Sequence, residues 1–273
     1  FISTPFLLSM RSPLLIARRF KFAVVDTAEA LAKRKVEVAK KYEIRPISMV
    51  DFPQLMDMGE EFMADDPLLQ AVNATFPLYR RSLEVLFTQA IAAQNIVQTS
   101  LIVTHKASGR PIGFRLYSPV WRDEIRRCPY AIPKHAPNEY EMSAHAMQKL
   151  FYDKFWEMNP DETVTFRGET VHVSAGHRDS GLFPVLYEYG LRYDEIIEKT
   201  GARIFTGPAT KQKIEELNLL ATMTAVYKGP ETVKRVDGTE VALPCGPISL
   251  MTRDMKGALA CDVKPHWEKM GLA

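Results

Sequence analysis

Three cysteines in 273 residues, Cys128, Cys245 and Cys261, are too widely spaced for a disulfide framework or a close-spaced zinc knuckle. Their small, odd number suits a reducing compartment. The six histidines keep no metal-ligand spacing with each other or with these cysteines. Charge of one sign is lacking too. The formal net charge is +2, with none of the concentrated basic surface that nucleic acid binding requires, so no nucleic acid partner is expected. No apolar run reaches the roughly 18 residues that span a bilayer, so no membrane partner is expected either. The phosphate loop G-x-x-x-x-G-K-[ST] is absent. So is the G-x-S-x-G elbow, which leaves Asp179-Ser180-Gly181 without the frame of a serine hydrolase. What is present, 46% hydrophobic and 25% charged residues, is the composition of a globular chain with a sizeable core.

Residues 1–41 read as a basic extension and leading helix. Arg11, Arg18, Arg19 and Lys21 stand among leucines, isoleucines and phenylalanines with no acid before Asp26. Mitochondrial transit peptides look like this, and a short secretory signal would also be basic then apolar, so a mitochondrial destination stands beside a cytoplasmic one. Residues 26–41, rich in Ala, Glu and Lys, favour a helix.

The main domain is expected over 42–256, with 257–273 as a tail. Tyr42 to Ile47 alternates as a strand, and Phe52, Leu55, Met56, Gly59, Phe62 and Met63 trace a helix that Pro67 ends. A second helix is predicted from Leu78 to Gln94. Ser100–Thr104 and Pro111–Tyr117 read as a hairpin about Gly109. Ser118 to Pro137 carries four prolines and reads as a loop, and Asn138 caps a helix running to Met158. Strands follow at Ala202–Phe205, Thr222–Tyr227 and Ile248–Thr252, with a helix over Ala209–Leu219 and a turn at Asp237-Gly238. The alternation of strands and helices predicts an α/β fold with a mixed, partly parallel central sheet flanked by helices.

One stretch, Glu169 to Lys199, organises the rest. Val171 and Val173 flank His172 as a strand, a polar loop runs from Ser174 to Ser180, and Leu182, Val185, Leu186, Tyr189, Tyr193 and Ile196 recur with helical spacing. A strand that turns through glycine into a helix offers unpaired backbone N–H groups at the helix start, a seat for a phosphate. By itself the same pattern is equally an ordinary connection with nothing bound. His177 has no identifiable catalytic partner and reads as a loop residue, and Tyr187, Tyr189 and Tyr193 read as helix packing.

The segment Val171 to Leu186 resembles the acetyl-coenzyme A motif of the GNAT N-acetyltransferase superfamily, a strand leading into [Q/R]-x-x-G-x-[G/A] and a helix. Here the residues are Arg178-Asp179-Ser180-Gly181-Leu182-Phe183. More narrowly, the chain resembles the arylalkylamine N-acetyltransferase branch of the insect dopamine and serotonin type. Tyr42-x-Ile44-Arg45 with Asp51 is similar to its first strand and helix start, Asp65-Asp66-Pro67-Leu68 to its D-E-P-L signature, and Gly109-Arg-Pro-Ile-Gly113 to its hairpin. The resemblance implies acetyl-CoA as co-substrate and a small primary amine as acceptor. It implies cofactor binding by Val171, His172, Val173, Arg178, Asp179, Ser180, Gly181, Leu182 and Phe183. It also gives Asp66 the role of general base and Thr206 and Thr210 that of the branch's paired serines, which assist proton transfer to the thiolate. Tyr227 is a further proton donor by the same analogy. The bland readings are a helix-ending acid for Asp66, a helix cap for Thr210 and a strand aromatic for Tyr227.

The chain departs from the motif where Phe183 replaces glycine or alanine, and Asp179 sets a negative charge beside a phosphate seat. Aspartate at 66 is also one methylene shorter than the family's glutamate. Two expectations therefore stand together: an acetyl-CoA-dependent N-acetyltransferase acting by direct attack of the amine in a ternary complex, or a weak or inactive protein of this fold that binds an acyl-CoA or a protein partner.

Overall fold

Strands and helices alternate through a computed structural model that describes residues 33, 35–66, 71, 76–123, 150–182, 185–186, 191–209, 223–234, 238–243 and 246–256. A leading helix α1 covers residues 35–41. Strand β1 (Tyr42–Pro46) turns through a short 3-10 segment, Met49–Asp51, into helix α2 (Phe52–Asp65). Helix α3 (Phe76–Ala93), hairpin β2 (Leu101–His105) and β3 (Arg110–Trp121) follow. Helix α4 occupies residues 150–158. Beyond it come β4 (Val164–Val173), a 3-10 loop Ala175–Ser180, α5 (Tyr193–Thr200), β5 (Ile204–Ala209), β6 (Thr224–Lys228), β7 (Thr232–Lys234), β8 (Glu240–Ala242) and β9 (Ser249–Asp254).

Seven strands form one sheet in the order β1-β2-β3-β4-β5-β9-β6, and β7 and β8 pair apart from it. Every neighbouring pair in the large sheet is antiparallel except β4 and β5. The strand period of two sends alternate side chains to opposite faces. On one face Phe114, Leu116 and Leu250 join Leu55, Leu83, Phe87 and Phe155 of α2, α3 and α4. On the other, Leu101, Val103 and Val173 pack with Val38 of α1 and with Leu182 and Leu186, while Tyr117, Phe166 and Met251 pack with Tyr193 and Ile196 of α5. This is the mixed α/β sheet flanked by helices that the alternation of elements predicts.

The entry to α2 is held electrostatically. Asp51 is buried and takes two hydrogen bonds from the Arg45 guanidinium, at 2.8 and 2.6 Å. Its carboxylate also accepts the Ser48 backbone N–H. The Arg45 contact, with the Ser48 amide behind it, holds the Asp51 carboxyl below its ordinary range.

Several boundaries differ from expectation. Strand β3 runs on to Trp121 through Ser118 and Pro119, where a loop is expected. Its pairing with β2 stops at Arg115, so Pro119 has a partner strand on one side only, and a missing N–H is tolerated there. Strand β4 begins at Val164, well before Val171, because Arg167, Gly168 and Glu169 blur the strand pattern. β5 runs over Ile204–Ala209, where the strand was expected at Ala202–Phe205, and Ala209 belongs to it and not to a following helix. The helical stripe from Leu182 to Ile196 is broken: Leu191 and Arg192 are non-helical, and α5 starts at Tyr193. Residues 210–219 of the helix expected over Ala209–Leu219 and the whole of 124–149 lie outside the described residues.

Candidate active site

The site begins where two parallel strands part. β4 and β5 pair only at Phe166↔Phe205 and Arg167↔Thr206. β5 pairs with β9 on its other edge along its whole length, Ile204–Ala209, and beyond Arg167 β4 keeps only β3 among the described residues. Just past the fork β4 has a bulge: Tyr117 pairs with Gly168 but Leu116 with Thr170, which leaves Glu169 as the extra residue. The extra residue exchanges the faces of the strand. Phe166 packs on the α5 side, whereas His172 lies against Phe62 and Phe114 on the α2 side, and Val173 turns to the face that carries Leu182 and Leu186.

A small cavity opens at the fork, lined by Phe151, Tyr152, Phe155, Arg167, Thr206, Gly207 and Leu250. It lies on the face covered by α4, since Phe151, Tyr152, Phe155 and Leu250 belong to that core. Its lining is mostly apolar, with a polar network beside it. The Arg167 guanidinium donates to the Tyr152 hydroxyl at 2.6 Å and lies 3.2 Å from a Glu169 carboxylate oxygen, with both side chains nearly buried. Glu169 in turn accepts the Ser118 hydroxyl at 2.6 Å. The Thr165 hydroxyl sits 3.2 Å from that of Thr206. Tyr227 packs edge-on against Phe151, one wall of the cavity.

The loop after β4 is tied down by its own residues and by α2. Gly181 has φ of 77°, the left-handed region where a side chain is strained, and so ends the 3-10 turn. The Ser180 hydroxyl donates to the His177 carbonyl at 2.5 Å and accepts the Leu182 N–H at 3.3 Å. The Ala175 N–H donates to Glu61 at 2.6 Å. Arg178 donates from Nε to the Val173 carbonyl and pairs with Asp65 and Glu61 on successive turns of α2. Burial alone would raise the Glu61 carboxyl, but the Ser174 hydroxyl and the Ala175 amide outweigh it and hold the group below its ordinary range. His172 is buried, and burial pushes its imidazole below the ordinary histidine value despite Glu61 at 3.4 Å.

The structure gathers the expected cofactor residues Val171 to Val173 and Arg178 to Leu182 along one strand end and its loop. Phe183 and Thr210 lie outside the described residues, as does the Asp179 side chain. Asp66 caps the C-terminus of α2, its N–H bonded to the Met63 carbonyl, and follows Asp65, which holds Arg178. Thr206 lines the cavity, and Tyr227 stands behind its wall. The sequence reading missed Glu61, Tyr152, Arg167 and Glu169. Glu61 and Asp65 stand four apart, on one face of α2, a spacing that could have flagged them as a pair. Arg167 and Glu169 carry no such mark.

No family model matches the chain, and no curated protein matches its sequence. Solved structures do match. A mosquito arylalkylamine N-acetyltransferase-like 5b superposes with a TM-score of 0.63 at 10% identity, covering 78% of this chain and 99% of that one. Arylalkylamine N-acetyltransferase 2 from Aedes aegypti gives 0.59 at 18% identity, with 78% and 99% covered. A Drosophila melanogaster polyamine N-acetyltransferase, which forms N-acetylagmatine, gives 0.57 at 13% identity, with 77% and 97% covered. The chain therefore has the GNAT fold, in the form seen in arylalkylamine N-acetyltransferases.

Proposed function

We propose that the protein is an acetyl-CoA-dependent N-acetyltransferase that acts on a small primary amine. The observation that carries this reading is the fork: β4 leaves β5 after Arg167↔Thr206 and runs straight into the Gly181 loop. Past the fork, the β4 edge facing β5 makes no further strand pairs among the described residues, and such an edge suits the amides of a pantetheine arm. The loop at its end would take the pyrophosphate, with Arg178, Ser180 and Gly181 around it and Asp179, Leu182 and Phe183 adjoining. The acetyl thioester would then lie at the fork beside Thr206.

In the reaction the amine nitrogen attacks the thioester carbonyl carbon. The C–N bond forms, the C–S bond breaks, and the electron pair leaves on sulfur. Asp66 would accept the amine proton, directly or through water, and Thr206, Thr210 or Tyr227 would return a proton to the thiolate. No covalent enzyme intermediate is needed.

One observation favours a second reading, a protein of this fold with weak or no activity. The Ala175 and Leu182 amides are already bonded to Glu61 and Ser180, so a phosphate must share this loop with side chains of the protein. Calorimetric titration with acetyl-CoA separates the two. Micromolar binding that Gly181→Arg abolishes supports the seat; no heat at millimolar cofactor sinks it. With binding intact, Asp66→Asn should lower acetyl transfer by roughly a hundredfold while cofactor affinity holds.

A further inference from the structure

Two carboxylates of α2 stand where an outside anion would bind. Glu61 and Asp65 lie one helical turn apart near the C-terminal end of α2, whose last turn holds no basic residue. The helix dipole disfavours negative charge at that end, so the partners of both lie elsewhere, on the loop after β4. Glu61 Oε1 accepts the Ala175 N–H at 2.6 Å and lies 3.4 Å from Arg178 Nη2. Arg178 pairs with Asp65 as well. A backbone amide and a guanidinium that converge on one carboxylate are the donors that hold a phosphate oxygen.

Two further observations set this contact apart from a fixed structural ion pair. One is exposure. The side chains of Glu61, Asp65 and Arg178 are 36%, 32% and 42% exposed. Ion pairs this open to water contribute little, because solvent screens them and two side chains lose freedom in making them. Exchange for another anion is therefore cheap. The other is His172, which is buried on β4. Its Nε2 lies 3.4 Å from Glu61 Oε2 and makes no hydrogen bond. A buried polar nitrogen left without a partner is costly. An oxyanion with more oxygens than a carboxylate, seated at the same place, can supply the missing acceptor.

We propose that Ala175, Arg178 and His172 form an anion seat occupied by the protein's own Glu61, and that a phosphate or pyrophosphate group enters by displacing this carboxylate. Asp65 adds to the barrier by holding Arg178 from the same helix. The seat is thus inhibited from within, and α2 sets how tightly an outside anion can be held. The inference rests on the acetyl-CoA reading for the identity of that anion, the pyrophosphate of the cofactor, though not for the existence of the seat. Its strength follows from occupancy: a seat filled by Glu61 about nine-tenths of the time weakens the apparent affinity for an outside anion about tenfold.

Calorimetric titration of the whole chain with inorganic pyrophosphate, and separately with acetyl-CoA, tests this. Glu61→Gln keeps the length of the side chain and an oxygen for the Ala175 N–H but removes the charge. It should bind pyrophosphate roughly tenfold more tightly than the parent protein. Asp65→Asn leaves Glu61 in place and should gain roughly threefold; it decides the matter if a thermal melt shows that Glu61→Gln folds poorly. Glu60→Gln removes the same charge from an exposed neighbour on α2 and should change the affinity less than about twofold, since an exposed charge is screened. If Glu61 merely holds the loop in shape, its replacement weakens binding, the opposite sign. Unchanged or weaker pyrophosphate binding in Glu61→Gln and Asp65→Asn, an equal gain in Glu60→Gln, or no binding to any of these proteins at millimolar pyrophosphate overturns the proposal. A gain for pyrophosphate with no binding of acetyl-CoA would leave the seat standing and remove the transferase reading. Acetyl-CoA bound equally by the parent and Glu61→Gln, with no gain for pyrophosphate, would keep that reading and remove this proposal.

Discussion

Thr206 sits on the last paired residue of the β4–β5 fork, with its hydroxyl 3.2 Å from that of Thr165 and its side chain against the cavity. Valine has nearly the same shape but no proton to give, so Thr206→Val separates packing from chemistry. If Thr206 assists departure of the thiolate, acetyl transfer should fall by roughly a hundredfold while acetyl-CoA affinity moves less than about threefold. Stopped-flow thiol release and a cofactor titration read the two separately; a drop in thermal stability with no change in rate would make it a packing residue. Thr206 could be found from the sequence only through resemblance to a family pattern. Arg167 and Glu169 could not. Charged residues at alternate strand positions normally mark a solvated face, whereas here Tyr152 of α4 meets Arg167 and Ser118 of β3 holds Glu169.

Elements of the fold were legible in proportion to how cleanly their pattern repeats. The α2 stripe keeps its period and lies close to where the sequence puts it, and the β2–β3 hairpin turns about Gly109 as expected despite a register shift between Val103 and Thr104. β4 was legible only over its last residues. Its bulge at Glu169 breaks the period of two, so the apolar residues on either side do not belong to one alternating series. The β3–β4 ladder also leaves no room for a side chain at Gly113. A Cβ on Gly113 would stand 2.6 Å from the His172 carbonyl oxygen, which is backbone and cannot step aside. Gly113→Ala should therefore force the strands apart next to the loop after β4, at a cost on the order of 2 kcal/mol. Urea unfolding reads that loss; a substitution that leaves the midpoint unchanged would show that the ladder yields more easily than its geometry suggests.

Among the described residues, His172, Asp51 and Glu61 are three of the buried or half-buried groups that tie stability to pH, and these three act in one direction. His172 is held neutral by burial, below its ordinary value. Its unfolded counterpart begins to bind a proton near about pH 6.5, while the folded residue stays uncharged. The unfolded chain then holds more protons, so stability falls as pH drops through this range, by up to about 1.4 kcal/mol per pH unit for one group. Asp51 and Glu61 follow at lower pH. Both have folded carboxyls held below the ordinary carboxylate range, Asp51 by Arg45 and Glu61, against burial, by Ser174 and Ala175. Their contribution is present above the unfolded values, near about pH 4, and is lost as pH falls through the folded ones. Denaturant unfolding measured from pH 8 downward should therefore show a first decline beginning near about pH 6.5 and a steeper one below about pH 4.5. His172→Gln should remove the first decline and leave the second. A first decline that persists in this variant would assign it to another group. His172 adjoins Glu61, and Glu61 pins both Ala175 and Arg178, so protonation of the folded imidazole, which comes only below the first decline, should disturb the loop after β4. On the acetyl-CoA reading, cofactor affinity of the folded protein should hold through the first decline, where folded His172 is still neutral, and weaken only at lower pH; in His172→Gln that later weakening should shrink.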